Sequence, residues 1–171
     1  MNKALFLDRD GVINVDHGYV YQSETFEFTP GLIALLKQAY AAGYKLIVVT
    51  NQSGIGRGYY TQADFEKLTR WMLARLYEQG VTIAGVYYCP HDPATPCECR
   101  KPAPGMFLQA IKDHKIDPAQ SWMIGDKESD IEAALAAGVQ KTVLITHNKA
   151  VSATKATHAR NDLLDTIALI N

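Results

Sequence analysis

Polar residues with catalytic potential follow three short apolar runs of the chain, at the points where the runs end. Asp8 and Asp10 follow the first run, Thr50 ends the second, and Asp126 ends a later one. A single aspartate after a strand is often only a turn former or helix cap. Clustered carboxylates, however, repel one another unless a cation lies among them, and hard oxygen ligands suit Mg²⁺. Because Mg²⁺ often accompanies phosphate, one aspartate can attack phosphorus while the other handles the leaving group's proton.

A second group of reactive side chains lies in the proline-broken segment CPHDPATPCECRKP, which holds all three cysteines of the chain. Its thiols and imidazole form a C-x-H-x5-C-x-C pattern: Cys89, His91, Cys97 and Cys99. Four such ligands fit tetrahedral Zn²⁺ and leave no open position, so we predict a structural zinc loop at 89–99. Buried cysteines, or one disulfide with a thiol left over, are the alternatives. The metal would also fix Arg100 and Lys101, which follow Cys99 directly.

Five apolar runs predict β-strands that are covered on both faces. They are Lys3–Asp8, Lys45–Thr50, Val81–Tyr88, Ser121–Asp126 and Lys141–Thr146. Helical patterns lie between them, so the chain predicts an α/β doubly wound, mostly parallel sheet with helices on both faces. In such sheets ligands bind beyond the carboxyl ends of the strands. The polar residues described above occupy those ends.

The helical patterns have recognisable ends. Thr29 is the candidate N-cap of a first helix, whose apolar stripe runs from Leu32 to Tyr40, and Thr61 caps a second together with Asp64. Two further helices are predicted from Gly105 and Glu128, and a last short one near residues 162–170. The polar segment 147–161 is predicted to be a surface loop.

Length and charge narrow the class of protein. The chain has 171 residues and a formal net charge of −1, which suits one domain over residues 1–171 and favours neither nucleic acid nor a membrane surface as partner. The N-terminal apolar run is short and interrupted by charges, so we expect no signal peptide. No apolar stretch approaches the ~20 residues of a membrane span. We therefore expect a cytoplasmic monomer.

Four segments resemble, in order, the motifs of the haloacid dehalogenase-like phosphatases. They are FLDRDGVIN, VVTNQSGIGRG, CRKPAPGM and MIGDKESDIEAA. The resemblance implies that Asp8 is the nucleophile that forms an aspartyl-phosphate, and that Asp10 is first the general acid and then the base that activates water. Thr50 and Lys101 would steady the transferring phosphoryl group.

The same resemblance implies where Mg²⁺ binds. Its ligands would be Asp8, the backbone carbonyl of Asp10 and Asp126, with Lys127 adjoining the site. Asp130 would anchor the fourth motif without touching the metal.

Two groups within this family are similar to the chain in having a zinc loop and no separate cap domain: the heptose 1,7-bisphosphate phosphatases and the histidinol-phosphate phosphatases. The segments NQSGIGRGYYT and VDHGYV are similar to the heptose group. That resemblance implies removal of the 7-phosphate from a sugar bisphosphate, in nucleotide-heptose and lipopolysaccharide core biosynthesis. Histidinol phosphate is the alternative substrate. The implied substrate contacts are Asp16, His17, Gly18, Tyr19, Asn51, Gln52, Ser53, Arg57 and Arg100.

A receiver-like signalling domain is the main non-enzyme alternative, because it also places carboxylates, a threonine and a lysine on a doubly wound sheet. Its phosphate-accepting aspartate ends the third strand, where this chain has Tyr88 and Cys89. Asp10 would also have no task there. A hydrolase needs this second acid, so the sequence favours catalysis.

Overall fold

A computed structural model describes residues 1–171, and its centre is a sheet of six parallel strands. The strands are β1 (Lys3–Leu7), β2 (Tyr44–Asn51), β3 (Ile83–Cys89), β4 (Trp122–Gly125), β5 (Lys141–Ile145) and β6 (His158–Arg160). They lie side by side in the order β3-β2-β1-β4-β5-β6. The order reverses direction between β1 and β4, and open α/β sheets bind ligands beside such a point.

Five α-helices connect the strands. They are α1 (Leu32–Ala41), α2 (Ser53–Gly56), α3 (Gln62–Glu78), α4 (Gly105–His114) and α5 (Glu128–Ala136). Short 3₁₀ turns cover Ser23–Thr25, Pro118–Gln120 and Leu164–Leu169. Between β1 and β2 the chain forms only one of these turns and α1. None of the helices is long and apolar enough to span a bilayer.

The core has two layers because successive strand residues point to opposite faces of the sheet. Leu5 and Leu7 of β1 join a cluster on one face with α1 and α3, whereas Ala4 and Phe6 join a cluster on the other face with α4 and α5. β1 is therefore buried from both sides and fixes the position of Asp8. The predicted α/β doubly wound fold is confirmed.

The structure corrects three details of the sequence prediction. Segment 147–161 is not wholly a loop, because His158–Arg160 pairs with Val143–Ile145 as β6. Thr29 does not cap α1: the residue before the helix is Gly31, whose φ of 84° lies in the left-handed region. Tyr40, assigned to the apolar stripe of α1, is 56% exposed. The capping box of Thr61 and Asp64 is present as predicted.

Candidate active site

Asp8 lies just beyond β1 and is only 7% exposed. Its Oδ1 accepts the backbone N–H of Arg9 at 2.9 Å and the Lys101 ammonium at 3.0 Å. No protein group donates to Oδ2, which leaves this oxygen for attack or for a metal. Burial, and after it the charge of Asp130, raises the pKa of Asp8 well above its usual value, although Lys101 opposes the rise.

Asp10 is held by three donors on its two carboxylate oxygens. Its Oδ1 accepts from Arg9 Nη2 at 2.9 Å and from Asn14 Nδ2 at 3.0 Å, and its Oδ2 accepts from Gln52 Nε2 at 3.0 Å. A turn makes this possible, because the backbone N–H groups of residues 12, 13 and 14 all point at the Arg9 carbonyl. Gly11 allows the turn, with a φ of 91°.

Lys101 connects Asp8 to Asp130 of the fourth motif. Its Nζ lies 3.0 Å from Asp8 Oδ1, 2.6 Å from Asp130 Oδ1 and 2.8 Å from the Val49 carbonyl, so its three protons all have partners. Burial alone would lower the pKa of Lys101, but attraction to Asp130 and Asp8 outweighs it and raises the pKa. Lys101 is therefore a permanent cation beside the Asp8 carboxylate.

Asp130 supports the site through hydrogen bonds to the backbone. Its Oδ2 accepts the backbone N–H groups of Asp126 and Lys127, both at 3.1 Å, and it is 1% exposed. These bonds fix the chain where β4 passes into α5. Gly125 is also required here, because a Cβ on it would lie 2.4 Å from that of Asp130.

Three carboxylates come close enough to share a cation: oxygens of Asp8, Asp126 and Asp130 all lie within 4.8 Å of one another. Asp126 Oδ1 is buried and has no hydrogen-bond partner, while His147 Nε2 lies 3.7 Å from Oδ2. Burial, with Asp130 next, raises the pKa of Asp126 to about 6. An unpartnered buried carboxylate among other carboxylates fits a hard cation such as Mg²⁺. Both oxygens of Asp130 already accept from protein donors, so Asp8 and Asp126 are the carboxylates that could bind the cation.

Lys127 adjoins the aspartates, but its side chain has a different chemistry. An ammonium has no lone pair and cannot bind a cation, so its side chain is not a metal ligand. It lines the cavity described below.

The cysteine and histidine side chains of the cysteine-rich loop lie close together. Cys89 Sγ lies 3.7 Å from Cys97 Sγ and 3.3 Å from His91 Nδ1, and Cys99 Sγ lies 3.2 Å from that nitrogen. A tetrahedral Zn²⁺ with bonds of ~2.3 Å to sulfur would set sulfurs about 3.8 Å apart. The four groups therefore fit a zinc ion, and all three cysteines are free of disulfides.

Asn51 ties this loop to the sheet. Its side-chain oxygen accepts the Lys101 N–H at 3.0 Å, and its amide donates to the Lys101 carbonyl at 3.2 Å. Gly56 in α2 donates to the Pro90 carbonyl at 2.8 Å, and a Cβ there would lie 2.4 Å from Asp92 N. The cluster and Asn51 together hold the backbone of Lys101 from both sides.

A cavity of about 560 Å³ opens above these groups. Predicted site residues line it: Asp10, Asp16, Gly18, Tyr19, Asn51, Gln52, Ser53, Arg57, Arg100, Lys101 and Lys127. Asp8 and Thr50 do not line the cavity, and both are buried. His17 does not line the cavity; its Nε2 lies 3.6 Å from Glu27 Oε2. Arg100 Nη1 is buried without a hydrogen-bond partner.

Sequence reasoning missed several residues that shape this site. Arg9 is 2% exposed and also donates to the Val20 carbonyl at 2.7 Å, so it joins Asp10 to the loop at 15–20. Asn14 returns to Asp10 across the turn, and Tyr60 donates to Gln52 Oε1. The DxDG motif places Arg9 beside the site, but no sequence pattern indicates Tyr60.

Comparisons with known proteins agree with this geometry. Residues 98–168 match the Hydrolase_like family model, described as HAD-hydrolase-like. The chain is 50% identical to a D-glycero-beta-D-manno-heptose-1,7-bisphosphate 7-phosphatase of Haemophilus ducreyi, over 99% of this chain and 98% of the relative. It is 55% identical to the protein of that name from Helicobacter pylori, over 86% of each chain.

A solved structure shares the fold. The D,D-heptose 1,7-bisphosphate phosphatase of B. bronchiseptica, crystallised with magnesium and phosphate, superposes with a TM-score of 0.83 at 28% identity, over 98% of this chain and 97% of the other. Taken with the buried aspartate, its lysine and the unpartnered Asp126, these matches show that the chain is a phosphoric monoester hydrolase and belongs to the haloacid dehalogenase-like phosphatase family.

Proposed function

We propose that this enzyme removes the 7-phosphate of D-glycero-β-D-manno-heptose 1,7-bisphosphate through an aspartyl-phosphate on Asp8, with Mg²⁺ bound. The single observation that carries the choice of substrate is the cation set of the cavity. Arg57, Arg100, Lys101 and Lys127 line one opening. Arg100 Nη1 is buried with no protein partner. A second phosphate on the substrate would supply the missing acceptor.

The proposed chemistry has two half-reactions. Asp8 Oδ2 attacks phosphorus, the bond from phosphorus to the sugar oxygen breaks, and protonated Asp10 gives its proton to that oxygen. Asp10, now a carboxylate, then takes a proton from a water that attacks the phosphorus of the aspartyl-phosphate. Inorganic phosphate leaves, Asp8 is regenerated, and Asp10 is again protonated.

The chain's own residues prepare both steps. Lys101 neutralises Asp8 and orients it through Oδ1, and the three donors to Asp10 hold its carboxyl group in a fixed direction for both proton transfers. Asp8, Asp126 and the Asp10 carbonyl would hold Mg²⁺, which supplies charge neutralisation of the phosphoryl oxygens. Thr50 and Lys101 would contact the phosphoryl group.

The remaining parts of the proposal concern context. Zn²⁺ in the Cys89–Cys99 cluster has a structural role, since its four ligands leave no open position. Because none of the three cysteines forms a disulfide, a reducing compartment suits them, and we place the reaction in the cytoplasm. All the groups described come from one chain, so a monomer suffices. The product serves nucleotide-heptose synthesis for the lipopolysaccharide core.

One assay tests the substrate assignment. Phosphate release is measured from both anomers of heptose 1,7-bisphosphate and from histidinol phosphate, side by side with Mg²⁺. We expect the highest kcat/KM for the β-anomer. A higher kcat/KM for histidinol phosphate would contradict the proposal.

Arg100→Ala then tests the distal phosphate site. Losing a charge-assisted hydrogen bond of ~1.5–3 kcal/mol lowers kcat/KM for the bisphosphate roughly 10- to 100-fold. Arg75→Ala is the matched control, since Arg75 is half-exposed on α3 and pairs only with Glu78. An unchanged kcat/KM in Arg100→Ala would refute this account of specificity.

A further inference from the structure

Gln52 lies between the end of β2 and the start of α2 and is 2% exposed. Its Nε2 donates to Asp10 Oδ2 at 3.0 Å and to Thr50 Oγ1 at 2.9 Å. Its Oε1 accepts the hydroxyl of Tyr60. The side-chain amide therefore connects a proton-transfer group, a phosphoryl-contacting group and the segment after α2.

Chemistry fixes which way this amide points. If the amide were flipped, its oxygen would face the carboxylate of Asp10, which has no proton to share when ionised. Tyr60 supplies a donor at the other end, and burial raises the pKa of Tyr60 to about 12, so the hydroxyl keeps its proton at neutral pH. Both amide protons are thus committed within the protein, and none remains for a substrate oxygen.

We propose that Gln52 is a positioning residue, held by Tyr60, that orients Asp10 and Thr50 together for the phosphoryl-transfer steps and does not contact the sugar bisphosphate. This inference rests on the proposed function. It replaces the role in substrate binding that the sequence motif predicts for Gln52.

The arrangement has a definite consequence for Thr50. Because Thr50 Oγ1 accepts the Gln52 N–H, the hydroxyl's own proton must point elsewhere. Its only protein acceptor is the Asn51 carbonyl at a long 3.4 Å. The same amide presents Asp10 by holding Oδ2 while Arg9 and Asn14 hold Oδ1. A single side chain therefore makes Thr50 a donor toward the phosphoryl group and sets the direction of Asp10.

A double-mutant cycle on Gln52 and Tyr60 tests the proposal, with kcat and KM measured separately on the bisphosphate. Gln52→Glu keeps the shape of the side chain but removes the paired donors. We expect kcat to fall about 10- to 100-fold, a part of the contribution of a well-placed general acid–base group, while KM stays within about threefold. Tyr60→Phe frees the amide to rotate and should lower kcat by a few-fold, again with little change in KM.

The third expectation is non-additivity. Once Gln52 is replaced, Tyr60→Phe should cost little more, because its effect on the chemistry passes through the amide. Gln109→Glu is the matched control: Gln109 is an exposed glutamine on α4 that also donates to a carboxylate, Asp113 Oδ1 at 2.7 Å. It should keep the wild-type kcat and KM.

Three results would overturn the inference: a rise in KM with unchanged kcat in Gln52→Glu, additive losses in the double variant, or wild-type kinetics in Gln52→Glu. Loss of folding is detected separately by the thermal unfolding midpoint. If Gln52→Glu does not fold, the kinetics of Tyr60→Phe alone test the proposal. A change in KM rather than in kcat in that variant would contradict it. A wild-type enzyme that releases no phosphate from the bisphosphate would instead refute the proposed function.

Discussion

Asp8 and Asp10 lie two residues apart, yet their surroundings differ in the way that the two proposed roles require. Asp8 is buried beside a lysine and keeps one oxygen free of protein donors, as an attacking group requires. Asp10 is partly open to the cavity, and both its oxygens are held. A proton-transfer group needs this fixed direction. The turn at Gly11 produces the difference, because it returns Asn14 to Asp10 but not to Asp8.

Asp8→Asn tests the role of the nucleophile. An amide cannot form the aspartyl-phosphate, so turnover should fall about 10⁴-fold or more. The phosphorylated protein, trapped by acid quench and detected by intact mass, should disappear. Asp165→Asn, on the exposed surface of the last 3₁₀ turn, is the control and should retain both signals. Wild-type turnover in Asp8→Asn would exclude the covalent route.

Asp130→Asn tests the buried ion pair. The substitution removes one of the two carboxylates that pair with the buried Lys101 ammonium. Because a hydrogen bond to a charged group contributes about 1.5–3 kcal/mol, the free energy of unfolding should fall by about that amount. Urea denaturation measures this loss. The exposed Asp162, whose side chain accepts only a backbone N–H at 2.9 Å, provides the control Asp162→Asn, with almost no loss because asparagine accepts this bond as well as aspartate. An equal loss of unfolding free energy in the two variants would show that the ion pair between Asp130 and Lys101 does not stabilise the fold.

At the scale of elements, the cysteine-rich loop replaces a strand or helix as the support of Lys101. Cys97→Ser should lower bound zinc from about one ion per chain, measured by elemental analysis. It should also lower the thermal midpoint, because structural Zn²⁺ contributes about 10–16 kcal/mol in small peptides. Turnover should fall with the metal, since the loop carries Arg100 and Lys101. The exposed Thr95→Ser between the ligands is the control. Full activity in zinc-free protein would separate the loop from catalysis.

The sequence predicted the elements where pattern and packing agree. Strand runs such as Leu5–Leu7 are buried on both faces, and the Thr61 capping box is local in sequence. The sequence-based prediction missed β6, because His158–Arg160 has only three residues and no apolar run. Its pairing with Val143–Ile145 also depends on contacts between segments distant in sequence. The prediction also misplaced the start of α1, because Gly31 adopts a left-handed conformation that propensity alone does not reveal.

The candidate site was also predictable from the sequence only in part. Asp8, Asp10, Lys101 and Asp126 stand in motifs whose order along the chain matches the strand ends, so topology brings them together. The partners of Gln52 and Asp10 were not predictable in this way. Tyr60 reaches Gln52 across the small helix α2, and Asn14 reaches Asp10 only because of the turn.

At the scale of the whole molecule, ligand binding should stabilise the fold by joining both halves of the sheet. In the proposed site, Mg²⁺ with inorganic phosphate would bind between groups after β1, β2 and β4. A ligand at 100 times its Kd contributes ~2.7 kcal/mol. For a chain of this size that corresponds to a rise in thermal midpoint of roughly 5–11 °C. Differential scanning calorimetry measures the rise. Arg75→Ala should show the same shift, and Asp126→Asn a smaller one. An equal shift in Asp126→Asn would remove that carboxylate from the metal site.

The cysteine-rich loop is held in two ways, by hydrogen bonds from Asn51 and by its cysteine cluster. This has a practical consequence for protein engineering. The tip of the loop, Pro93–Pro96, lies between the cluster residues His91 and Cys97 and is exposed. None of the site residues described above belongs to it. Its length can therefore be changed without moving Lys101, which makes this tip a place to graft an affinity tag or a reporter peptide while turnover is retained.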